Sequence, residues 1–525
     1  MNKKKVYMYD ATLREGAQAK GISFTVNDKI KIARRLDEMG IDYIEGGNPT
    51  SNPKDAEFFK QIQAERLKHA RLTAFGSTRK PGSKIDTDPL INALAQAETE
   101  AAAIFGKSSL FHVEKILRTE PEENLAMIYE SILYLKERGR EVVFDAEHFF
   151  DGYKLDAAYA IKALEAAQQA GADWLALCDT NGGTLPHEIE SITADVIGKL
   201  DTPVGIHCHN DIGCAQASSL AAVRAGARQV QCVANGYGER CGNADLCTLL
   251  PLLQLKMDYT CVPDETLANI TAHAHFLSEL ANMTFDERTP FVGARAFSHK
   301  GGMHIDAVLK DSRSFEHIDP AAVGNERVLL MSEVAGRSTI LARINKIDAT
   351  LTKESPETRA IIEALKEKEF AGYQYEGGET SLDLLIKNLL GRRRTFFEVK
   401  DFRVLCEEHW QDDYSATAFI KVQVDGQENI TAAEGDGPVN ALDKALRKAL
   451  QNFYPHLSEM RLKDFKVRIL DSNLATAAIT RVQIESTDGT HSWNTVGVSG
   501  NIIEASWEAL IDAIEYFLDC HTEVT

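Results

Sequence analysis

The sequence predicts an α/β chain: a (β/α)8 TIM barrel, then helical subdomains, then a C-terminal α+β domain with an internal duplication. Three observations carry this. Residues 1–265 repeat a short β-rich run followed by an amphipathic stretch, eight times over; residues 266–400 are mostly helical in pattern; residues 401–525 contain two similar segments. Strands alternating with helices require a parallel sheet, and eight repeats close it into a barrel instead of an open sheet.

The strand runs fall at 6–10, 43–46, 72–76, 101–105, 141–147, 174–179, 204–209 and 229–234, rich in β-branched, aromatic and small apolar residues. Between them 27–39, 122–138, 155–170 and 186–200 carry helical periodicity, several opened by Asp, Asn, Pro or Thr. Beyond the barrel, FSHKGGMHIDAVLKD (297–311) reads as a loop among helices, 370–390 as a helix-turn connection, and Arg392–Arg394 as a hinge or solvated face. In the last domain SATAFIKVQV (415–424) matches LATAAITRVQI (474–484). Each is followed by a polar turn, a further strand and a helix opened by glycine, in GDGPVNALDKALRKAL (435–450) and GVSGNIIEASWEALIDAI (497–514). Two strand-strand-helix copies describe a pseudo-symmetric domain. It shares no chemistry with the barrel, which points to regulation or assembly.

The composition removes several functions. A formal charge of −20 from 78 acidic and 58 basic residues repels nucleic acid and anionic membrane surfaces. The start, MNKKKVYMYDATLR, has no apolar signal core, and no run is long and apolar enough to span a bilayer. Nine cysteines without a CxxC pair fit reduced thiols, so the expected compartment is the cytoplasm.

A barrel places its chemistry at the C-terminal strand ends, and there the unusual residues collect: DATLREGAQ, EGGNP, GSTRK, DAEHFFDG, DTNGG, HCHND and NGYGERCGNAD. His207 and His209 sit two apart on one strand, so both leave the same face. Two neutral imidazoles and a carboxylate suit a catalytic divalent ion, and zinc, manganese or magnesium all accept that set. Buried structural histidines are the competing reading, which the polar Asn210 and Asp211 beside them weaken. Glu15 is the best-placed carboxylate, its alternative being a first-turn helix acid, and Asn243 offers a further oxygen. Such an ion polarises a 2-oxo acid, and Arg14 stabilises the oxygen where charge develops. The base candidates are Glu147, otherwise a hydrogen-bonding core carboxylate, and His304, otherwise a solvated surface histidine, with Asp306 to orient the imidazole. Arg79 and Lys80 are candidates to grip an anionic ligand.

The segments TLREGAQ, HCHNDIG, NGYGERCGNADL and FSHKGGMHID resemble the signatures of the 2-isopropylmalate, homocitrate and citramalate synthases, and the resemblance spans the whole chain. It implies Claisen condensation of acetyl-CoA with a small 2-oxo acid and hydrolysis of the thioester. By position it makes Glu15, His207 and His209 metal ligands with Asn243 nearby, Arg14 and Thr180 oxo-acid residues with Gln18 beside them, and Glu147, His304 and Asp306 the acid-base set. It also implies a homodimer, because the family's His-bearing loop comes from the neighbouring subunit, and a C-terminal regulatory domain. Within the family, FDAEHFFDGYK and HIDPAAVGNERVLLMSEVAGRS are most similar to the branch that uses pyruvate and is inhibited by isoleucine. The helix-opening loops at Gly437 and Gly500 offer free N–H groups to such an effector. The alternatives are sister enzymes using 2-oxoisovalerate or 2-oxoglutarate, and a lyase of the hydroxymethylglutaryl-CoA type, which lacks the duplicated domain.

Overall fold

The structure, a computed structural model, describes residues 3–50, 53–329, 337–375, 377–407, 415–470, 478–489 and 491–521. It divides into two compact units, Met1–Phe297 with His317–Arg327, and Ser298–Glu316 with Val328–Thr525.

In the first unit eight parallel strands close in sequence order: β1 (Tyr7–Asp10), β2 (Tyr43–Gly47), β3 (Arg71–Ser77), β4 (Ala101–Lys107), β5 (Glu141–Glu147), β6 (Trp174–Asp179), β7 (Val204–Cys208) and β8 (Gln229–Cys232). The expected strands are all present, with ends shifted by at most two residues. Period two sorts the side chains. Val142, Phe144, Leu175, Leu177, Ile206 and Val230 face outward into the core under the helices, while Tyr9, Tyr43, Ala101, Ala103, Val143, Trp174 and Ala176 fill the barrel interior. Small residues on β4 leave room for the large rings opposite. The same alternation carries the inward row upward on β5 and β7, through Asp145 and Glu147 and through His207 and His209. The helices follow their start signals: Thr25 and Asp28 form a reciprocal capping box for Val26–Met39, which stops at Gly40 with φ 83°.

The second unit opens with β9 (Ser298–His299) paired in parallel with β10 (Val328–Leu329). The expected loop there is corrected: Gly302–Lys310 is a helix, capped by the Gly-rich segment before it. Helices Arg337–Ile347, Pro356–Phe370 and Glu379–Leu389 follow, around Ile344, Ile361, Leu365, Leu382 and Ile386.

The duplicated region holds two three-stranded antiparallel sheets, each backed by a helix: β11 (Glu398–Glu407), β12 (Ser415–Val424) and β13 (Gln427–Gly435) with Pro438–Leu450, then β14 (Arg461–Ile469), β15 (Thr480–Thr487) and β16 (Ser492–Ser499) with Ile502–His521. The expected strand-strand-helix repeat thus gains a leading strand in each copy; residues 474–477 of the second copy lie outside the described residues. The copies agree in detail. Each leading strand has one irregularity, at Val399/Asp401 and at Leu462/Asp464. Thr431 donates to Ala445 O, and Thr495 to Ala509 O, both at 2.8 Å.

In Arg392–Arg394 the outer two arginines are exposed, as expected of a solvated face, whereas Arg393 is clasped. Arg393 donates to Asp512 at 2.9 Å and to Glu515, and Arg392 pairs with Asp348. Among the described residues no helix is long and apolar enough to cross a membrane.

Candidate active site

The chain leaves β1 through a turn fixed by its own side chains. Asp10 accepts from Thr12 N at 2.9 Å and Thr12 Oγ1 at 2.8 Å, and Thr12 Oγ1 accepts from Ala234 N at 3.0 Å, tying this turn to the end of β8. Gly16 is required here, since a Cβ would lie 2.9 Å from Val233. The turn delivers Arg14 and Glu15 to the barrel mouth.

Arg14 is held on three sides. Nε donates to the fully buried Glu45, Nη1 donates to Glu15, and the guanidinium carbon stands 3.6 Å from the centre of the Phe75 ring. Nη2 has no protein partner among the described residues. Burial works to raise the Glu15 carboxyl, but Arg14, then His207 and His209, outweigh it and hold it at about 2.

From β7 and the residue that follows it, the His207 and His209 rings stand 5.2 Å apart by ring centres. His209 Nε2 lies 3.6 Å from Glu15 Oε1, and burial, with the neighbouring His207, pushes its pKa down to about 3. His207 turns Nδ1 to Gln231 Oε1 at 2.9 Å. Asn243 faces His209 across an isolated bridge. The glycine loop lets it in: at Gly238, φ 149°, a Cβ would stand 2.2 Å from Asn243 Nδ2.

These donors fit a divalent ion. A low-pKa carboxylate and neutral imidazoles are the ligating forms, and Asn243 Oδ1 and His209 Nδ1 are buried without a hydrogen-bond partner. Among the described residues no three His, Cys, Asp or Glu side chains are already drawn together as a closed ligand set; Glu15 gives one oxygen to Arg14.

Above them opens a cavity of about 290 Å³, lined by Arg14, Glu15, Gln18, Glu147, Thr180, His207 and His209 with Phe75 and Phe105. Glu147 pairs with Lys107, and its Oε1 is 4.0 Å from His148 Nε2. Thr180 Oγ1 accepts from His148 N at 2.8 Å, so its own proton is left to donate. Arg240 closes the rim with a two-pronged bond to Asp211 at 2.7 and 2.9 Å.

Other expected residues lie elsewhere. His304 and Asp306 belong to the second unit, on the helix Gly302–Lys310. His304 stacks on Phe315 at 4.1 Å, and Asp306 accepts from Lys310 at 2.5 Å. Residues two apart on a helix point apart, so Asp306 does not orient that ring here. Arg79 is buried and bound by Glu123 and Glu130, each at 2.6 Å, so it is a structural cation and not a free grip for an anion; Lys80 is exposed. Gly437 and Gly500 precede helices as expected. Sequence reasoning missed Glu45, Lys107, Asp145, Gln231 and the Phe75–Phe105 stack at 5.4 Å. Inward period-two positions on the strands were the available signal.

Residues 5–275 match the HMGL-like family model, 291–370 the homocitrate synthase post-HMGL domain-like model, and 376–518 the LeuA allosteric (dimerisation) domain model. The chain is 51% identical to the (R)-citramalate synthase of Aquifex aeolicus, over 98% of each chain. It is 50% identical to that of Geobacter sulfurreducens, over 99% of this chain and 98% of the relative. A 2-isopropylmalate synthase from Pyrococcus furiosus is 31% identical over 97% of this chain and 99% of its own. Shared barrel, shared appended domains and near-complete coverage on both sides place the chain in the (R)-citramalate synthase family, within the wider HMGL-like group.

Proposed function

We propose that the chain condenses acetyl-CoA with pyruvate and water to give (R)-citramalate and CoA. The observation that carries this is the meeting of Arg14, Glu15, His207, His209, Glu147 and Thr180 around one cavity at the barrel mouth, in a chain half identical over its length to citramalate synthases.

Each residue has a part in a carbon-carbon bond-forming step. Arg14 Nη2 and the Thr180 hydroxyl offer protons to the oxygens of a 2-oxo acid, Gln18 lies beside them, and the charge that develops on the keto oxygen meets a fixed guanidinium. Glu147 takes the proton from the acetyl methyl group, so that the carbon can attack the keto carbon. Glu15, His207, His209 and Asn243 would hold a divalent ion, zinc, manganese or magnesium, which supplies Lewis-acid polarisation of the bound oxo acid. His304, with Asp306 on its helix, is the proposed second acid-base group for thioester hydrolysis, delivered by the neighbouring subunit of a homodimer.

The stacked Phe75 and Phe105 wall the cavity with rings, which favours an acceptor with an apolar side chain over one with a charged side chain. We assign the C-terminal duplicated domain to assembly and feedback by an amino acid, isoleucine first, in line with its match to the allosteric domain model. Nine free cysteines agree with a reducing compartment such as the cytoplasm.

The test is release of free CoA thiol from acetyl-CoA with pyruvate, 2-oxoisovalerate or 2-oxoglutarate. Pyruvate is expected to be the best acceptor by kcat/KM. Preference for either of the others would make the chain a sister synthase.

A further inference from the structure

Beside His207 the barrel interior holds two polar residues to which the proposed chemistry gives no part, Gln231 and the cavity-lining Asp145. His207 Nδ1 lies 2.9 Å from Gln231 Oε1, and Gln231 Nε2 donates to Asp145 Oδ1 at 2.7 Å. All three are buried, with 7%, 1% and 5% of their surface exposed. The barrel register builds it. β7 and β8 set His207 opposite Gln231, and Asp145 occupies the inward position two residues before Glu147 on β5.

A carboxamide is directional, with an acceptor at one end and donors at the other. Oδ1 of Asp145 accepts from the amide whether or not Oδ2 carries a proton, and this arrangement draws the Nε2 end of Gln231 toward β5. Oε1 is then the only atom left to face His207. An oxygen there can only accept, so the His207 proton must sit on Nδ1, and Nε2 keeps its lone pair. The other tautomer would set two lone pairs against each other between buried side chains, at the cost of an unmade hydrogen bond.

We infer that Asp145 and Gln231 are positioning residues: together they fix the tautomer and ring orientation of His207 so that Nε2 is a ligand atom before any ion arrives. The inference rests on the reading of His207 as a metal ligand. Groups that orient ligating histidines typically change metal affinity by about 10- to 100-fold when removed.

Two variants test it in the full-length protein. Gln231→Met keeps the volume and removes the acceptor. The double variant Asp145→Asn with Gln231→Glu exchanges amide and acid: the amide now on β5 donates, and the carboxylate now on β8 accepts from both sides, so His207 stays protonated on Nδ1. Mn²⁺ titration is expected to show affinity lower by about 10- to 100-fold in Gln231→Met and restored to within a few-fold in the double variant. Nitrogen NMR of metal-free, ¹⁵N-histidine-labelled wild type, with His207 assigned by its removal, is expected to show the proton on Nδ1. A wild-type proton on Nε2, a Gln231→Met variant that binds Mn²⁺ like wild type, or a double variant no better than Gln231→Met overturns the inference. If wild type binds no Mn²⁺ but His207 is protonated on Nδ1, the metal reading fails and the tautomer assignment stands.

Discussion

Arg14 lies flat against Phe75, its guanidinium carbon 3.6 Å from the ring centre, while Nε and Nη1 serve the buried Glu45 and Glu15. A planar fork is needed to stack and donate in two directions at once; an ammonium cannot do both. Arg14→Lys is therefore expected to lower kcat/KM for pyruvate by about 100-fold or more. Steady-state kinetics check this, and a change under threefold would remove Arg14 from the oxo-acid site.

Asn243 Oδ1 and His209 Nδ1 are buried without a hydrogen-bond partner, beside Glu15 and His207. Dialysis against a chelator is expected to abolish condensation, and Mn²⁺, Mg²⁺ or Zn²⁺ to restore it. His207→Ala is expected to stay inactive after reloading. Full turnover of the chelated protein, or of His207→Ala, would end the metal assignment.

Glu147 lines the cavity without bonding to Arg14, and Lys107 holds its Oε2. Glu147→Gln keeps the shape and removes the base, so kcat is expected to fall by about 10²- to 10⁴-fold with KM for pyruvate changed little. A large KM effect with kcat preserved would make Glu147 a binding group instead.

The barrel was legible because its inside-outside alternation is written directly in the strands, and two-residue spacing put His207 and His209 on one face. Glu45 and Gln231 were not, because nothing in EGG or VQC tells that those side chains close a hydrogen-bond chain across strands remote in sequence. The same limit explains two misreadings. GGMHIDAV carries two glycines that suggest a loop, yet Gly301 is the N-cap and Gly302 the first residue of a helix whose buried face is Ile305 and Val308. Arg393 reads as solvated with its neighbours until Asp512 and Glu515 arrive from a helix more than a hundred residues away.

That clasp is expected to matter for stability. Arg393→Met leaves Asp512 and Glu515 facing each other without their cation, with Glu515 only 9% exposed. Removing one partner of a buried pair costs several kcal/mol, and Arg393 is partly solvated, so a loss of about 2 kcal/mol is expected. Thermal unfolding should show the second unit melting earlier. An unchanged Tm would mean that Arg393 is dispensable for stability.

The last prediction concerns pH. Burial pushes the Asp10 carboxyl up to about 7, against the lowering effect of its bonds from Thr12. The folded chain therefore keeps a proton that the unfolded chain, titrating near 3.8, gives up. A group that binds its proton more tightly when folded adds stability at low pH, complete below about 4 and lost as pH rises through about 7. Asp10→Asn cannot ionise and keeps an acceptor for Thr12 N, so it lacks that fall. Its Tm relative to wild type is expected to rise by a few degrees between about pH 5 and pH 8. Thermal melts across that range read the difference directly, and a Tm gap that stays flat or narrows with pH would show that Asp10 is already charged in the folded barrel.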